Sequence, residues 1–164
     1  MKKRIKAELF SMLIKIAVFA LIAWTLLFGA FGIFRINDDA MTPSCKDGDI
    51  VLFDRIKKQL QAGDLVVFSK DGEEQIRRIV GVPGDKVEIT EEGLFINGYL
   101  QLEKEITTPT LPLENCIAYP TELGEQEYFV LADQRDSAKD SRWYGSINKE
   151  EIKGTVILLL RRRG

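Results

Sequence analysis

A single long apolar run near the N-terminus dominates the hydrophobic pattern of the chain. It contains 19 uncharged residues, from Ile16 to Phe34, and follows a basic segment. As a helix this run would be about 28 Å long, which matches the hydrocarbon thickness of a bilayer. Because the Lys15 ammonium can extend back to the lipid headgroups, we predict a single-pass transmembrane anchor over residues 10–34.

Charge predicts how this anchor is oriented in the cell membrane. The first fifteen residues carry five basic side chains and one acidic side chain. This excess predicts that residues 1–9 form a cytoplasmic tail and that residues 35–164 lie outside the cytoplasm. The alternatives are a cleaved signal peptide and a buried core helix. The run is longer than the usual apolar region of a signal peptide, no clean A-x-A cleavage site follows it, and no polar face marks it as a core helix.

From Arg35 onward the pattern changes to short apolar runs separated by Gly, Asp and Pro, which is typical of a mostly β domain. The dipeptide Asn97-Gly98 predicts a tight hairpin turn. We predict at most a short helical turn at 148–153 and an irregular insertion or small cap over 101–126. The predicted strands are 49–54, 64–68, 76–82, 86–90, 94–96, 128–131 and 155–160.

Composition excludes several classes of function. The chain has 164 residues, a net charge of −2 and no histidine. The weak negative charge argues against a nucleic-acid partner. Without histidine there is no Ser-His or Cys-His catalysis and no imidazole zinc site, and two cysteines are too few for a four-thiolate metal site. Cys45 and Cys116 could form a disulfide outside the cell or remain packed as free thiols, and the sequence leaves both open.

Three segments carry a family resemblance. They are Asp39–Ser44 followed by Gly48-Asp49, then Arg77–Asp85, then Ala132–Gly145. In this order, after one N-terminal anchor, they resemble the conserved boxes of bacterial type I signal peptidases, the membrane-anchored Ser-Lys proteases that cut signal peptides from exported proteins. The resemblance implies a signal peptidase I-like β core with a small inserted β subdomain at about 87–126, and it implies no cofactor and no metal.

The resemblance also identifies four positions where the chemistry of the family is lost. The nucleophilic serine is replaced by Ala40, which has no lone pair for attack. The general-base lysine is replaced by Arg77, whose guanidinium keeps its proton in proteins. The serine that orients the lysine is replaced by Ala138. Asp38 stands where some members use a hydroxyl to steady the oxyanion, and a carboxylate there would repel the developing charge. We therefore expect a pseudoenzyme.

The structural residues of the family persist. Asp140 and Arg142 are implied members of an ion-pair network under the old active site, the alternative being two exposed loop charges. If the boxes meet as in the family, Asp38 or Asp39 should lie near Arg77 and form a charge-assisted hydrogen bond. The retained residues are Met41, Pro43, Gly48, Asp49, Arg78, Pro83, Gly84, Asp85, Asp140, Ser141 and Arg142.

The family binds extended peptides beside two strands, so a member without the dyad is expected to bind peptides without cutting them. The expected apolar lining is Phe34, Ile36, Met41 and Ile76, with core or membrane contact as the alternative. The chain is also similar to the signal-peptidase-like proteins found with Gram-positive pilus genes, which lack the dyad and assist sortase-dependent pilus assembly. The partners implied are the membrane, exported protein or pilin segments, and sortase, with no nucleic acid.

Two other interpretations remain open at this stage. One is an active type I signal peptidase with a rearranged site, in which Ser44 or Cys45 is the nucleophile and Lys46 or Lys86 is the base. Such a migrated dyad would also need a new oxyanion hole. The other is an anchored β domain that uses no peptide cleft.

Overall fold

The computed structural model describes residues 2–57, 59–103, 106, 108–114, 117–136 and 139–161. The first element is helix α1, Lys2–Ala30. Its stretch Glu8–Ala30 is long and apolar enough to cross a membrane, and none of it is buried within the protein. This helix is compatible with the predicted membrane anchor.

The helix ends four residues before the predicted anchor boundary at 34, because the end of the apolar run forms strand β1, Phe31–Arg35. This strand pairs antiparallel with β2, Ile50–Asp54. The pairing depends on Gly32, since a Cβ there would lie 2.2 Å from the Phe53 ring. The last four residues of the predicted anchor, 31–34, therefore belong to a strand. Their sequence is as uncharged as that of the helix, so it does not mark the boundary.

The remaining strands complete two antiparallel sheets. In chain order they are β3 Leu65–Lys70, β4 Glu73–Gly81, β5 Lys86–Thr90, β6 Gly93–Ile96, β7 Tyr99–Leu100, β8 Thr121–Glu122, β9 Glu127–Leu131, β10 Ile147–Asn148 and β11 Ile152–Leu160. The large sheet has the order β1-β2-β11-β3-β4-β9-β10, and the small sheet has the order β7-β6-β5-β8. The fold is mostly β, as predicted, and all seven predicted strands are present, the strand at 86–90 with the predicted bounds and the other six with shifted ends.

Two short helices follow β9. Helix α2, Ser141–Tyr144, is capped by the Asp140 side chain, and a 3₁₀ turn, Lys149–Glu151, is capped by Asn148. The predicted helical turn at 148–153 is thus present in a shorter form. Sequence reasoning missed α2 together with the brief strands β7, β8 and β10, because two to four residues give no periodic signal.

Buried apolar side chains join the two sheets. Val87, Ile89 and Leu94 of the small sheet pack with Phe129 and Leu131 of β9 in one cluster. The small sheet, which falls in the segment predicted as an insertion, is therefore fixed against the large one by hydrophobic burial.

Two turns hold the small sheet in register. Asn97 and Gly98 have φ values of 53° and 84°, so the predicted hairpin turn between β6 and β7 is confirmed. Gly84, with φ 87°, allows the turn before β5. The Asp85 carboxylate accepts hydrogen bonds from the Val82 N–H at 2.9 Å and the Asn97 side-chain amide at 2.8 Å, which links the two turns.

Candidate functional site

An open groove of about 1020 Å³ lies where the three sequence boxes meet. One wall is the end of β1 and the turn after it, the other is the start of β4, and residues 134 and 139 close one end. Both degenerate positions, Ala40 and Arg77, face this groove. The full lining is Phe34, Asn37, Asp38, Asp39, Ala40, Thr42, Lys46, Glu73, Glu74, Gln75, Arg77, Gln134 and Lys139.

Ala40 sits in a tight turn that presents its backbone to the groove. The Thr42 N–H donates to the Asp39 carbonyl at 3.0 Å, and the Gln134 N–H donates to the Ala40 carbonyl at 2.8 Å. The next residues reach Pro43 through a cis peptide bond. The position expected to carry a nucleophile is therefore rigidly placed, but its side chain is a methyl group.

Arg77 is 3% exposed and forms the floor of the groove. Its Nε donates to the Lys139 carbonyl at 2.9 Å, and its Nη1 donates to the Ile76 carbonyl at 2.6 Å. These bonds fix the guanidinium in the place expected for a base. A guanidinium keeps its proton, so this group can donate hydrogen bonds but cannot accept the proton of a nucleophile.

The predicted contact between Arg77 and a neighbouring carboxylate is present. Arg77 Nη1 lies 3.5 Å from Asp38 Oδ2, and Asp38 Oδ1 accepts the Ala40 N–H at 3.2 Å. Asp39 instead accepts the Asp47 N–H at 3.2 Å. Asp38 therefore places negative charge beside the backbone donor at which a serine protease would stabilise an oxyanion.

Ser44, the first alternative nucleophile, belongs to a separate polar cluster. Its hydroxyl donates to Asp133 and accepts from Arg78 Nη2 at 3.0 Å. Arg78 also binds both carboxylate oxygens of Asp133, at 2.8 and 2.6 Å. The Arg78 guanidinium therefore occupies both oxygens of the carboxylate that the Ser44 hydroxyl contacts. Ser44 is not among the residues that line the groove.

Cys45, the second alternative nucleophile, is a free and buried thiol. Burial, followed by the nearby carboxylates of Asp133, Asp49 and Asp38, raises the pKa of the Cys45 thiol to about 12. Because the thiolate is the reactive form, this environment makes Cys45 inert. Its possible partner Cys116 lies outside the described residues, as does the altered helper position Ala138.

The two alternative bases lie in different parts of the fold. Lys46 is exposed at the groove wall, and Lys86 begins β5 in the small sheet, away from the groove. Within the described ranges, no group of three or more His, Cys, Asp or Glu side chains is placed to hold a metal ion.

A buried ion pair begins at the residue after Lys139, which lines the groove. Both oxygens of Asp140 accept from the Arg142 guanidinium at 3.0 Å, and both residues are buried. Arg142 also donates to the Arg135 carbonyl at 2.7 Å, and buried Arg135 pairs with Glu103 at 2.7 Å. Asp140 and Arg142 are thus not exposed loop charges. The Glu103–Arg135 pair was not predicted, because Glu103 lies outside the three boxes.

Three of the four residues expected to line a peptide site are in the core. Ile36, Met41 and Ile76 are 2%, 0% and 3% exposed and pack with Val51 in one buried cluster. The three side chains are not among the residues that line the groove, and their contact with a bound peptide stays a prediction. Phe34 is half-buried and does line the groove.

Comparison with known proteins identifies the family. The family model described as "Signal peptidase, peptidase S26" matches residues 6–160. Signal peptidase IB of Staphylococcus aureus (strain Mu50) is 32% identical over 173 residues, covering 92% of this chain and 88% of that protein. A probable signal peptidase I-2 of Synechocystis is 27% identical over 137 residues, covering 75% of this chain and 60% of that protein.

A solved structure is also similar. The crystal structure of a signal peptidase I from Enterococcus faecalis V583 matches with 25% identity and a TM-score of 0.49, covering 61% of this chain and 98% of that chain. The match to the family model extends over nearly the whole sequence, from the N-terminal helix to the last strand. The chain therefore belongs to the peptidase S26 family of signal peptidases.

Proposed function

We propose that this chain is a catalytically inactive signal peptidase homologue that binds extended segments of exported proteins in its groove. One observation carries the proposal: Ala40 and Arg77 face the same groove, where a Ser-Lys protease needs a nucleophile and a base. Neither side chain can do that chemistry. The rest of the groove is built and open, which supports binding without cleavage.

The strand arrangement supports main-chain recognition of a peptide. Strand β1 is at the edge of the large sheet and pairs only with β2 in the described part of the chain. Strand β4 pairs with β9 only from Arg78 onward, so residues 73–77 have a strand partner on one side only. Two open strand edges beside a groove are suited to pairing with an extended peptide.

The position of the groove supports a role at the membrane. Phe34, in the groove wall, is four residues from Ala30, the last residue of α1. We propose that α1 is a single-pass anchor in the cell membrane, with a cytoplasmic N-terminus set by its basic residues. A protein segment leaving the bilayer would then meet the groove close to the membrane surface.

The resemblance to signal-peptidase-like proteins of Gram-positive pilus genes supports a more specific role. We propose that the chain acts as an assembly factor or chaperone for exported subunits, with pilin segments and a sortase as its partners. This part rests on the shared loss of the dyad.

Peptide binding is tested with the full-length protein in lipid nanodiscs. The probe is a fluorescent peptide of about twelve residues, blocked at both ends, that contains an Ala-x-Ala segment. We expect saturable binding by fluorescence anisotropy, and Thr42→Trp, which fills the groove, should abolish it. Glu91→Trp, in an exposed turn of the small sheet, is the matched control and should bind normally. Equal binding by both variants would contradict a site in the groove.

The competing function is an active peptidase with a rearranged site, which membership of a protease family favours. Ser44 is the group that could support it, since its hydroxyl donates to Asp133. The bidentate Arg78 contact to Asp133 argues against this, because both Asp133 oxygens already accept hydrogen bonds from the guanidinium. Cleavage of a precursor that is lost in Ser44→Ala would establish this function instead.

A further inference from the structure

One side chain, Asp38, bridges the two hydrogen-bond donors on the groove floor. Its Oδ1 accepts the Ala40 N–H at 3.2 Å, and its Oδ2 lies 3.5 Å from Arg77 Nη1. A backbone N–H and a guanidinium that both donate to one carboxylate form a site that can bind the oxygen of a carbonyl or carboxylate. In this chain the group in that site is part of the protein.

The two donors are held in place without Asp38. The Ala40 peptide is anchored by the bond from the Gln134 N–H to the Ala40 carbonyl, at 2.8 Å. The Arg77 guanidinium is anchored by the Lys139 and Ile76 carbonyls, at 2.9 and 2.6 Å. Removing the Asp38 carboxylate would therefore leave the Ala40 N–H and the Arg77 guanidinium in place, each without the contact that Asp38 supplies.

Asp38 itself is loosely held. Its side chain is 43% exposed, and both contacts are longer than the 2.7–2.9 Å typical of charge-assisted hydrogen bonds. Solvent screens the partly exposed Asp38 carboxylate, so its long contact with the buried Arg77 guanidinium is weak. The carboxylate can therefore turn toward solvent when another acceptor enters the groove.

We propose that Asp38 is an internal competitor for the main-chain carbonyl of a bound peptide. A carbonyl of the extended peptide accepts from the Ala40 N–H and Arg77 Nη1, and the Asp38 carboxylate leaves that position. The proposal rests on the proposed function and adds the residues that select the ligand: Asp38 sets the affinity, and Arg77 has become a fixed donor in place of a base.

The first test compares two variants of the full-length protein that each remove one carboxylate, one inside the groove and one outside it. Asp38→Ala should bind the blocked peptide about fivefold more tightly, because the Asp38 carboxylate no longer competes for the two donors. Glu91→Ala removes the same charge from an exposed turn of the small sheet, outside the groove, and it should leave the affinity unchanged. Equal tightening in both variants, or none in Asp38→Ala, would overturn the competition.

The second test uses the unmodified sequence, so a folding defect cannot obscure it. With ¹³C-labelled carboxylates, saturating peptide should shift the Asp38 carboxylate resonance and leave that of Glu91, outside the groove, in place. Peptide saturation with an unchanged Asp38 signal would overturn the inference while the peptide-binding function stands. If neither the unmodified protein nor Asp38→Ala binds peptide, the proposed function itself fails.

Discussion

The buried Asp140–Arg142 pair follows the groove residue Lys139 in the chain, and Asp140→Ala tests how much the pair contributes to the stability of the protein. The Asp140 carboxylate is fully buried and accepts four hydrogen bonds. Two come from the Arg142 guanidinium at 3.0 Å, one from the Arg142 N–H at 3.0 Å and one from the Ala132 N–H at 3.1 Å. Alanine removes all four and leaves a buried arginine without its anion.

Two effects set the size of the loss. Removing one partner of a buried ion pair costs about 3–5 kcal/mol, because the remaining charge is desolvated and uncompensated. The carbonyls of Arg135 and Leu111, at 2.7 and 3.3 Å, still accept from Arg142 and keep the cost toward the lower end. Loss of the α2 cap adds about 1 kcal/mol. We expect a total of about 4 kcal/mol, which corresponds to a fall in Tm of roughly 8–16 °C.

Thermal unfolding of the full-length protein in detergent measures this loss. Circular dichroism follows the sheets, and the fluorescence of Trp143 reports on α2 itself. The matched control is Lys57→Ala, which breaks the partly exposed pair with Asp64 and should cost less than about 1 kcal/mol. A loss in Asp140→Ala no larger than in the control would refute the reasoning that burial makes this pair strong.

Three further predictions concern the sheet, the buried thiol and the lost dyad. Gly154→Ala should lower the Tm by more than Asp140→Ala, or prevent folding, because its Cβ would lie 2.3 Å from the Asp54 carbonyl oxygen. With the other cysteine replaced by serine, Cys45 should resist iodoacetamide at pH 8 until the protein unfolds. The free energy of unfolding should fall as the pH rises above about 9, because the raised pKa of Cys45 makes the folded state retain a proton that the unfolded state releases. Ala40→Ser alone should cleave no precursor, whereas Ala40→Ser with Arg77→Lys should gain cleavage detectable by mass spectrometry, since only an amine can take the proton of the serine.

Much of the fold follows from short-range sequence signals. The turn at Asn97-Gly98 needs residues that tolerate positive φ, and asparagine and glycine are the residue types that favour such turns. The contact of Asp38 with Arg77 was predictable because Asp38 lies two residues before Ala40, and the Ala40 and Arg77 positions form a touching dyad in the family. Such inferences hold because few residue types meet the backbone or charge requirement at these positions.

Other features depend on packing that the sequence does not display. The apolar letters of 31–34 read like the preceding helix, and only pairing with β2 and the fit of Gly32 against Phe53 make them a strand. Ile36, Met41 and Ile76 are as apolar as Phe34, yet the local backbone turns their side chains into the core. The direction of a side chain is set by the tertiary structure, so residue type alone could not separate core from lining.

The cluster of Ser44, Arg78 and Asp133 was also beyond sequence reasoning. Ser44 and Asp133 are 89 residues apart, and nothing in either segment shows that they share a hydrogen bond. In the structure Ser44 does not line the groove, and its hydroxyl donates to the Asp133 carboxylate, which already forms an ion pair with Arg78. Long-range polar contacts of this kind decide whether an alternative nucleophile is plausible.

The proposed catalytic inactivity is tested most directly by a cleavage assay with the full-length protein in lipid. The substrate is an exported precursor that Signal peptidase IB of Staphylococcus aureus processes under the same conditions, with products identified by mass spectrometry. We expect the precursor to remain intact with this chain at any enzyme concentration, while it still binds in the groove. Cleavage at a defined bond that survives repurification and disappears in Ser44→Ala would contradict the account.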